Sequence, residues 1–371
     1  MNRRILVLSN SFVGLHSFRK EVFQAFKYDG YEVFISSPIG QDKEKAEWFE
    51  KIGCHIIDTN FNRQGKNPIA DFKLMLLYRK IIKQIEPDVV LSYTIKPNLY
   101  GGMACALCSV PQIANVTGLG AAVENPGIMQ HLTDWLYKLG LQKTTLVFFQ
   151  NEANRSFCLK HRMVNGRTSL IPGSGVNLEY HTLQKYPDVT EPMRFIFISR
   201  IRREKGIEEY LQAAQIVKQR YPDAEFHVLG TCEGNYEQRL VDLQKKGYIV
   251  YHGHQSDVRP YIAKVHCTIH PSFYPEGMSN VLLESCAAGR PIITTDRAGC
   301  REIIDDGSNG FIVRQQDSDD LIKQIERFIL LPHSEKQQMG LNARKKVEMN
   351  FDREIGVAAY LNEVSNIINK S

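Results

Sequence analysis

Two glutamates, Glu276 and Glu284, stand eight positions apart around a short polar segment. The apolar run Cys267–His270 precedes them, and the helical pattern that begins near Asn280 ends at Gly289. Glu276 is therefore predicted in a loop and Glu284 one turn inside a helix, whose first backbone N–H groups attract anions. Carboxylates repel anions, so the two glutamates should accept hydrogen bonds from hydroxyl groups instead. A phosphate between two hydroxyl-binding carboxylates describes a nucleotide joined to a sugar.

The predicted helix N-terminus between the glutamates supplies donors for that phosphate. We expect the backbone N–H groups of Ser279, Asn280 and Val281 to point at the anion. The donor-binding set predicted from this segment is Gly277, Met278, Ser279, Asn280 and Val281. The alternative is one glutamate that caps a helix and another that lies on the surface.

Two cations follow the first predicted strand of the second half of the chain. Arg200 and Lys205 lie directly after the apolar run 194–199 and before a helical pattern. A guanidinium can bind phosphate through two parallel hydrogen bonds, and an ammonium adds a compact charge. The segment therefore predicts a phosphate-binding turn, although taken alone it also fits a solvated charged loop.

The loop after the first strand lacks the glycines of a dinucleotide site. Of the pattern G-x-G-x-x-G only Gly14 is present there, and no P-loop sequence occurs, which argues against a nicotinamide, a flavin or a P-loop nucleotide. The D-x-D triplet at 317–319 is predicted to cap a helix rather than to bind a metal. Scattered cysteines and histidines show no convincing metal-ligand spacing, so no metal or cofactor is expected. Among the histidines only His16, in the first loop, is a candidate for substrate contact.

Short apolar strands alternate with helical patterns along the whole chain. Such strands are buried on both faces, which predicts parallel sheets covered by helices. The strands are predicted at 4–9, 32–36, 55–59, 88–93, 112–116, 146–150 and 168–171, then at 194–199, 225–230, 248–253, 267–270, 291–295 and 310–313. Two such series predict an α/β chain of two doubly wound domains, with ligands beyond the carboxyl ends of the strands.

A segment rich in glycine and proline separates the two series. The predicted organisation is an N-terminal domain of residues 1–172, a linker of residues 173–192, a second domain of residues 193–345 and a C-terminal helix of residues 346–371. With two sheets facing each other, the cleft between the domains is the expected site.

Length and charge support this organisation. The chain has 371 residues, 43% hydrophobic and 23% charged, which is typical of folded domains. It contains no apolar stretch long enough for a membrane helix or a signal peptide, which predicts a cytoplasmic chain.

The two halves of the chain differ in charge. Residues 1–171 hold 21 lysines and arginines against 14 acidic residues, giving +7, whereas residues 172–371 hold 25 against 27, giving −2. The first half suits an anionic partner, but not nucleic acid, because its cations are not clustered with aromatic residues.

One predicted helix, 71–86, carries much of this charge. Lys73, Arg79, Lys80 and Lys83 lie opposite an apolar packing side. Each lysine or arginine near an anionic bilayer contributes about 1 kcal/mol. We therefore predict a reversible, peripheral attachment to the anionic inner face of the cytoplasmic membrane, and the alternative is a solvated helix face.

The glutamate pair Glu276 and Glu284, the cations Arg200 and Lys205, and the Gly-Val-Asn at 175–177 together resemble a known enzyme family. They are similar to the retaining GT-B glycosyltransferases of family 4, the glycogen-synthase and mannosyltransferase-like group, and the resemblance covers nearly the whole chain. It implies two Rossmann-like domains that face each other across a cleft. Arg200 and Lys205 would hold the donor diphosphate, Glu276 the transferred sugar and Glu284 the ribose.

The same resemblance implies roles for other positions. Gly14 would lie on the donor side and His254 beside the nucleobase, and the C-terminal helix would cross back to the first domain. Arg200, Lys205 and Glu276 form the expected catalytic group. The cations would stabilise the departing diphosphate without a metal, while the acceptor hydroxyl attacks from the same face of the sugar.

Within this group, segments 92–98 and 115–120 look like those of bacterial enzymes that extend lipid-linked oligosaccharides for capsule, O-antigen or protein glycosylation. The expected reaction moves a hexose or N-acetylhexosamine from a UDP-sugar, with GDP-mannose as second choice, to a polyprenyl-diphosphate-linked saccharide. His16, Lys96 and Thr117 are the candidates for acceptor or sugar contact. Some relatives have a histidine or glutamate where this chain has Thr117.

Two other classes fit parts of the pattern. A sugar-nucleotide epimerase on the same double fold would bind the same donor but need no acceptor. A two-domain sugar-binding protein of the periplasmic type would share the architecture but would need a signal peptide. Donor alone separates the two enzymes, because only an epimerase would convert it to a new sugar nucleotide.

Overall fold

The computed structural model describes residues 3–63, 65, 67–120 and 128–369. The chain divides into two compact units. Unit 1 comprises Met1–Ser174 with Glu354–Ser371, and unit 2 comprises Gly175–Arg353. Each unit contains one parallel sheet with helices on both faces, as predicted for doubly wound domains.

Unit 1 has a seven-stranded sheet in its described part, with the strand order β3-β2-β1-β4-β5-β6-β7. The strands are β1 (Arg4–Leu8), β2 (Glu32–Ser37), β3 (His55–Asp58), β4 (Val89–Tyr93), β5 (Gln112–Val116), β6 (Leu146–Phe149) and β7 (Arg167–Leu170). The helices that follow in order are α1 (Phe12–Tyr28), α2 (Lys43–Lys51), α3 (Pro68–Ile85), α4 (Gly102–Cys108), α5 (Ile128–Leu141) and α6 (Glu152–Lys160).

Unit 2 has a six-stranded sheet in the order β10-β9-β8-β11-β12-β13. Its strands are β8 (Arg194–Ile198), β9 (Glu225–Leu229), β10 (Val250–Tyr251), β11 (Cys267–His270), β12 (Ile292–Thr295) and β13 (Gly310–Val313). The helices are α7 (Ile207–Arg220), α8 (Tyr236–Lys245), α9 (Arg259–Ile262), α10 (Asn280–Ala287), α11 (Ser318–Leu330) and α12 (His333–Asn350), and the last helix of the chain is α13 (Arg353–Ile368). Every predicted strand is present with its bounds within two residues of the prediction.

Both sheets reverse their strand order beside the first strand. The reversal lies between β1 and β4 in unit 1 and between β8 and β11 in unit 2. Ligands of open parallel sheets bind at the carboxyl edge of such a switch point. In unit 2 the loop after β8 carries Lys205 and the loop after β11 carries Glu276, so the two loops flank this position.

Alternating side chains of β1 explain the continuous apolar pattern of the strands. Ile5 and Val7 belong to a core shared with helices α1, α2 and α13, whereas Leu6 and Leu8 pack with α3 and α4 on the other face. Both faces of the strand are therefore buried, which removes the polar alternation of a half-exposed strand.

The predicted linker, residues 173–192, has both buried and exposed parts: residues 173–176, 186 and 187 are buried, whereas half of its residues are exposed. Tyr186 is buried there, and its hydroxyl donates to the His266 carbonyl oxygen at 3.0 Å. Arg290 donates to the carbonyl oxygen of Lys185 at 2.7 Å. Proline and glycine predict an irregular path, but they do not predict which of its residues are packed, and the linker bounds stay a prediction.

The predicted C-terminal helix, residues 346–371, belongs to two helices. Helix α12 lies in unit 2, and the chain then pairs with Val176, whose amide donates to Phe351 at 2.8 Å and whose carbonyl accepts from Arg353 at 3.1 Å. Helix α13 follows and belongs to unit 1 from Glu354 onward. The boundary shifts because these two backbone hydrogen bonds interrupt the helical pattern.

Helix α13 completes the core of unit 1. Tyr360 is buried, and its ring centroid lies 5.0 Å from that of Phe148 on β6. The Asn115 side chain on β5 donates to the Tyr360 hydroxyl. This return of the chain agrees with the predicted crossing of the C-terminal segment.

Helix α3 buries one side and exposes both charge and apolar surface on the other. Leu74, Tyr78, Ile81, Ile82 and Ile85 are buried, as the pattern predicts for four of them. Lys73, Lys80 and Lys83 are exposed. Four large apolar residues that the sequence pattern did not single out are also exposed: Ile69 by 69%, Phe72 by 58%, Leu76 by 42% and Leu77 by 38%. No helix among the described residues is both long and apolar enough to cross a bilayer.

Candidate active site

Glu276 is buried in the loop after β11 with its carboxylate against three side chains. Its Oε1 forms an ion pair with the Lys205 ammonium, accepts a hydrogen bond from the Ser272 hydroxyl at 3.3 Å and lies 3.5 Å from His270 Nε2. The Lys205 and Glu276 side chains are only 11% and 12% exposed. Two residues predicted for phosphate and for sugar hydroxyls are thus in direct contact.

The pKa of the Glu276 carboxyl is set by opposing effects. Burial alone would raise this pKa, but His270 and Lys205 outweigh burial and lower it to about 2. The group is therefore a carboxylate at neutral pH and accepts hydrogen bonds without donating any. The Lys205 ammonium also lies 4.8 Å from the centroid of the Tyr274 ring, where its face attracts a cation.

A glycine allows the loops after β8 and β11 to approach each other. Lys205 ends a 3₁₀ turn (Arg203–Lys205), and Gly206 follows with φ +80°. A Cβ at Gly206 would lie 2.2 Å from the carbonyl oxygen of Pro271, which is backbone and cannot yield. Only glycine combines the left-handed conformation with this contact, and the contact holds Lys205 beside the loop of Glu276.

The N-terminus of helix α10 differs from the sequence prediction in one respect. The amide of Ser279 donates to the Gly299 carbonyl oxygen at 2.8 Å, so the prediction of an available N–H at Ser279 is wrong. The loop after β12 occupies this donor, which sequence spacing alone does not indicate. The amides of Asn280 and Val281 begin the helix itself.

Unused polar groups remain buried around this helix N-terminus. Within the described residues, the Ser279 hydroxyl and His270 Nδ1 have no hydrogen-bond partner, whereas His270 Nε2 faces the Glu276 carboxylate. Both side chains are almost fully buried. Gly277 and Met278 are buried in the same loop, and Met278 packs into the core below it. Unpaired buried polar groups are costly, and they cluster where a ligand binds.

Arg200 has different partners from Lys205. Its guanidinium, 53% exposed, pairs with Glu233 Oε1 at 2.9 Å, while Arg202 approaches Glu233 Oε2 at 3.4 Å. The Arg202 guanidinium also lies 5.2 Å from the Tyr274 ring centroid. Sequence reasoning missed Arg202 and Glu233, although both follow neighbouring strands of the sheet, which is the available signal.

Glu284 borders a cavity of about 280 Å³ in unit 2. The cavity is also lined by Tyr180, His181, Asp257 and Arg259. Arg259 makes hydrogen bonds of 2.8 Å to each oxygen of Asp257, and its guanidinium lies 3.6 Å from the Tyr180 ring centroid.

Burial raises the pKa of the Glu284 carboxyl to about 7, against the lowering effect of Arg353. Burial also lowers the pKa of His181 to about 4, so this imidazole is neutral at pH 7. His254 is exposed and is not among the residues that line the cavity. The structure therefore brings Glu284 but not His254 to this cavity.

The residues predicted in unit 1 lie in three places: on helix α1, after strand β5 and after strand β4. Gly14 and His16 both lie in helix α1 rather than in a loop, which corrects the loop interpretation, and the Gly14 amide donates to the Ser11 side chain at 3.2 Å. His16 packs edge-on against Trp48, with ring centroids 4.9 Å apart, and burial lowers its pKa. Thr117 is exposed after β5.

Lys96 lies in the third place, the turn after β4. Its Nζ lies 2.5 Å from Asp71 Oδ1, and the Tyr100 hydroxyl donates to Asp71 Oδ2 at 2.9 Å. The four unit 1 residues predicted from the sequence thus do not form a single cluster through the contacts of their side chains.

The described residues contain no group of three or more histidine, cysteine, aspartate or glutamate side chains suited to a metal. The D-x-D triplet caps helix α11, as predicted, because the Asp317 side chain accepts from the Asp320 amide at 2.8 Å. All eight cysteines are free thiols.

Known protein families match both halves of the chain. Residues 182–346 match the model described as "Glycosyl transferases group 1", and residues 4–151 match "Glycosyl transferase 4-like". The chain is a GT-B glycosyltransferase. Solved structures with the same fold include a glycosyltransferase from Rickettsia africae, with a TM-score of 0.80 and 20% identity over 100% of both chains. Another is Anabaena HepE in complex with UDP, with a TM-score of 0.77 and 17% identity over 98% of this glycosyltransferase and 99% of HepE.

A curated relative is similar over almost its whole length. It is the N,N'-diacetylbacillosaminyl-diphospho-undecaprenol alpha-1,3-N-acetylgalactosaminyltransferase of Campylobacter jejuni, 26% identical over 98% of this glycosyltransferase and 99% of the relative. The predicted family and the predicted double α/β fold are therefore confirmed.

Proposed function

We propose that this glycosyltransferase moves a hexose or N-acetylhexosamine, with retention of configuration, from a UDP-sugar to a saccharide linked to polyprenyl diphosphate. The Campylobacter relative, by its name, adds N-acetylgalactosamine to a diphospho-undecaprenol saccharide, and HepE binds UDP. Products of this kind would serve bacterial surface polysaccharide or glycan biosynthesis. The buried Lys205–Glu276 pair at the switch point of unit 2 carries the proposal, because it joins a phosphate-binding cation to a hydroxyl-binding carboxylate.

In the proposed reaction the bond between the sugar C1 and the diphosphate oxygen breaks, and a bond from C1 to the acceptor oxygen forms on the same face. The acceptor proton passes to a phosphate oxygen, so the products are UDP and the lengthened acceptor. Lys205, Arg200 and the N-terminus of helix α10 would stabilise the negative charge of the leaving diphosphate. Glu276 would accept hydrogen bonds from the transferred sugar.

Glu284 would contact the ribose of the donor from the cavity that it lines. Its position one turn inside helix α10 is four residues beyond the first helical residue, Asn280. A phosphate at the helix N-terminus and a ribose beside Glu284 would therefore lie along one side of the same helix. We propose no resident metal for this chemistry, because cations of the chain would supply the charge that a metal supplies elsewhere.

The experiment that tests the proposed function combines donor and acceptor in one assay. UDP-sugars are incubated with a synthetic N-acetylhexosaminyl diphosphate carrying a short prenyl chain, and the product is examined by NMR. We expect an axial-to-axial transfer in which the new glycosidic bond keeps the anomeric configuration of the donor. An inverted product contradicts retention. Conversion of the donor to a new sugar nucleotide without acceptor would indicate the epimerase instead.

We also infer that helix α3 attaches the enzyme to the cytoplasmic face of an anionic membrane. Exposed lysines supply electrostatic attraction of about 1 kcal/mol each near such a surface. Ile69, Phe72 and Leu76 add exposed apolar side chains on the same helix, which can enter the interfacial region of the bilayer. A helix face that combines exposed cations with exposed apolar side chains is typical of a surface that binds a bilayer, rather than of one that contacts only water.

Liposome flotation tests this attachment. Binding should require anionic lipid and weaken with salt in the wild type, because surface charges are screened. Replacing both Lys80 and Lys83 with glutamate should abolish the anionic preference, whereas Phe72→Ser should weaken binding at every salt concentration. The matched controls are Lys51→Glu on helix α2 and Tyr28→Ser at the end of α1, both exposed. Equal recovery with neutral vesicles would contradict the inference.

A further inference from the structure

Unit 1 contains a cavity of about 440 Å³ at the carboxyl edge of its sheet. Asn60 and Phe61 line it from the loop after β3, Asp71, Lys73 and Leu77 from helix α3, and Lys96 from the turn after β4. The carboxyl edge is where open parallel sheets bind ligands, and β4 flanks the switch point of this sheet. A volume of this size is within the range of small-molecule sites.

An ion pair, Asp71 with Lys96, lines one side of the cavity. Asp71 receives the Lys96 ammonium at 2.5 Å on one oxygen and the Tyr100 hydroxyl at 2.9 Å on the other. The Asp71 and Lys96 side chains are 13% and 14% exposed, so both are held largely away from bulk water. Each carboxylate oxygen can accept a second hydrogen bond, and an ammonium has three donors. The pair can therefore bind a neutral polar ligand without losing its own contact.

The turn that carries Lys96 has a strained backbone. Thr94 adopts φ +73°, although it is β-branched, and residues of this type rarely enter the left-handed region. The Thr94 carbonyl accepts from the Asn98 amide at 3.0 Å, which holds the turn. Within the described residues the buried Thr94 hydroxyl has no hydrogen-bond partner. Strain of this kind persists where the surrounding structure fixes a functional geometry.

The chemistry of the wall selects the ligand class. A carboxylate and an ammonium side by side match vicinal hydroxyl groups, which donate to one and accept from the other. Phe61 and Leu77 offer apolar surface for the C–H groups of a ring. Asp71 already neutralises Lys96, so the lining offers a phosphate only the charge of Lys73, and a purely apolar chain would leave the polar group unsolvated. A pyranose meets all of these conditions.

We propose that this cavity binds the saccharide of the acceptor, with Asp71 and Lys96 as its specificity-determining residues. The inference rests on the proposed function for the identity of the acceptor. Exposed Phe72, beside Asp71 on the same helix, leaves apolar surface next to the cavity for the lipid that the saccharide carries. Lys96 is then a residue that orients the acceptor, and Tyr100 positions Asp71.

Steady-state kinetics of Asp71→Asn and Lys96→Ala tests the proposal. The prenyl-diphosphate acceptor described above is used in detergent, and donor hydrolysis without acceptor is measured alongside. Loss of a hydrogen bond to a charged group corresponds to a rise of about 10–100-fold in the acceptor KM. The rate of donor hydrolysis and the donor KM should stay within about twofold of the wild-type values, because the donor is held by unit 2. Tyr100→Phe should give a smaller rise.

The control variant is Glu363→Gln, which breaks an ion pair with Arg167 in the same unit. The Glu363 side chain is 20% exposed, close to the exposure of Asp71, so the two substitutions have comparable structural cost. The control should leave the acceptor KM unchanged. An unchanged acceptor KM in Asp71→Asn, or equal changes in the donor and acceptor constants, would overturn the proposal.

A binding measurement separates this proposal from the proposed function. Saturation-transfer NMR with free N-acetylglucosamine and N-acetylgalactosamine should show contact with the wild type, and Asp71→Asn should reduce the signal at least about tenfold. If no lipid-linked saccharide is extended but the free sugars bind in this way, the proposed function fails and the cavity assignment stands. If transfer occurs but Asp71→Asn binds both sugars normally, the cavity assignment fails alone.

Discussion

Replacing Glu276 by glutamine should destabilise unit 2 by removing the counter-charge of a buried ammonium. The pKa of Glu276 falls from 4.5 to about 2 in the folded protein. A difference of 2.5 pKa units corresponds to about 3 kcal/mol of stabilisation of the native state at neutral pH. The variant keeps the shape of the side chain but leaves Lys205 without its carboxylate, and breaking a buried pair in this way is costly.

The lowered pKa of Glu276 also determines how the stability difference between wild type and variant changes with pH. Because the folded-state pKa lies below the unfolded value, the stabilisation is complete above about pH 5 and is lost as the pH falls through 4.5 towards 2. The difference between wild type and Glu276→Gln should therefore shrink by about 1.4 kcal/mol between pH 7.5 and pH 3.5. A group whose pKa was unperturbed would give no such change.

Urea unfolding followed by circular dichroism measures the effect, and tryptophan fluorescence provides the reference. Both tryptophans, Trp48 and Trp135, lie in unit 1, so fluorescence reports unit 1, and the shift should appear in the dichroism only. The matched control is Glu233→Gln, which removes an exposed pair with Arg200 and should cost less than about 1 kcal/mol. Equal stability of Glu276→Gln and wild type at pH 7.5, or a difference that does not depend on pH, would refute the reasoning.

Three further predictions concern activity. Arg200→Ala should lower turnover by about 10²–10³-fold, because the substitution removes a hydrogen-bond donor to the leaving diphosphate. The dichroism spectrum should not change, since the Arg200 side chain is exposed. Near wild-type turnover would contradict the proposed role of Arg200 at the diphosphate. EDTA should change the rate by less than about twofold, and loss of activity restored by Mg²⁺ or Mn²⁺ would reverse that expectation. The kcat/KM for the donor should rise as the pH increases through about 7, because the ionised Glu284 carboxylate accepts hydrogen bonds from the ribose more strongly than the protonated carboxyl does, and Glu284→Gln should flatten the profile.

Sequence patterns predict the fold well because local signals and the burial of strands agree. The run Cys267–His270 forms strand β11 with the bounds that the sequence predicts, and the paired reversal of strand order follows from the βα alternation. The partial burial of residues 173–192 could not be predicted, because composition describes the local path but not its tertiary partners. Tyr186 and Val176 are buried there, but Tyr180 in the same segment is half exposed, so residue type alone does not show which side chains are packed.

Spacing identifies the loops of the candidate site but not the contacts between them. Lys205 and Glu276 lie 71 positions apart, and their ion pair depends on the close backbone approach at Gly206. The amide of Ser279 is taken by Gly299, a residue from a third loop. Such contacts arise only when several strand ends meet at one edge of a sheet, and no local pattern in a single sequence reports them.

The return of helix α13 to unit 1 has a consequence for biosynthesis. Unit 1 is interrupted in the chain by the whole of unit 2, so its core remains open until residues 354–369 have left the ribosome. Until then Phe148 and Asn115 lack Tyr360, and a nascent unit 1 exposes apolar surface that attracts chaperones or partner chains. Unit 2, continuous in sequence, can close first. The order of folding during translation is therefore expected to run against the order of the sequence, and a nonsense codon just before helix α13 should yield a folded unit 2 attached to an incomplete unit 1.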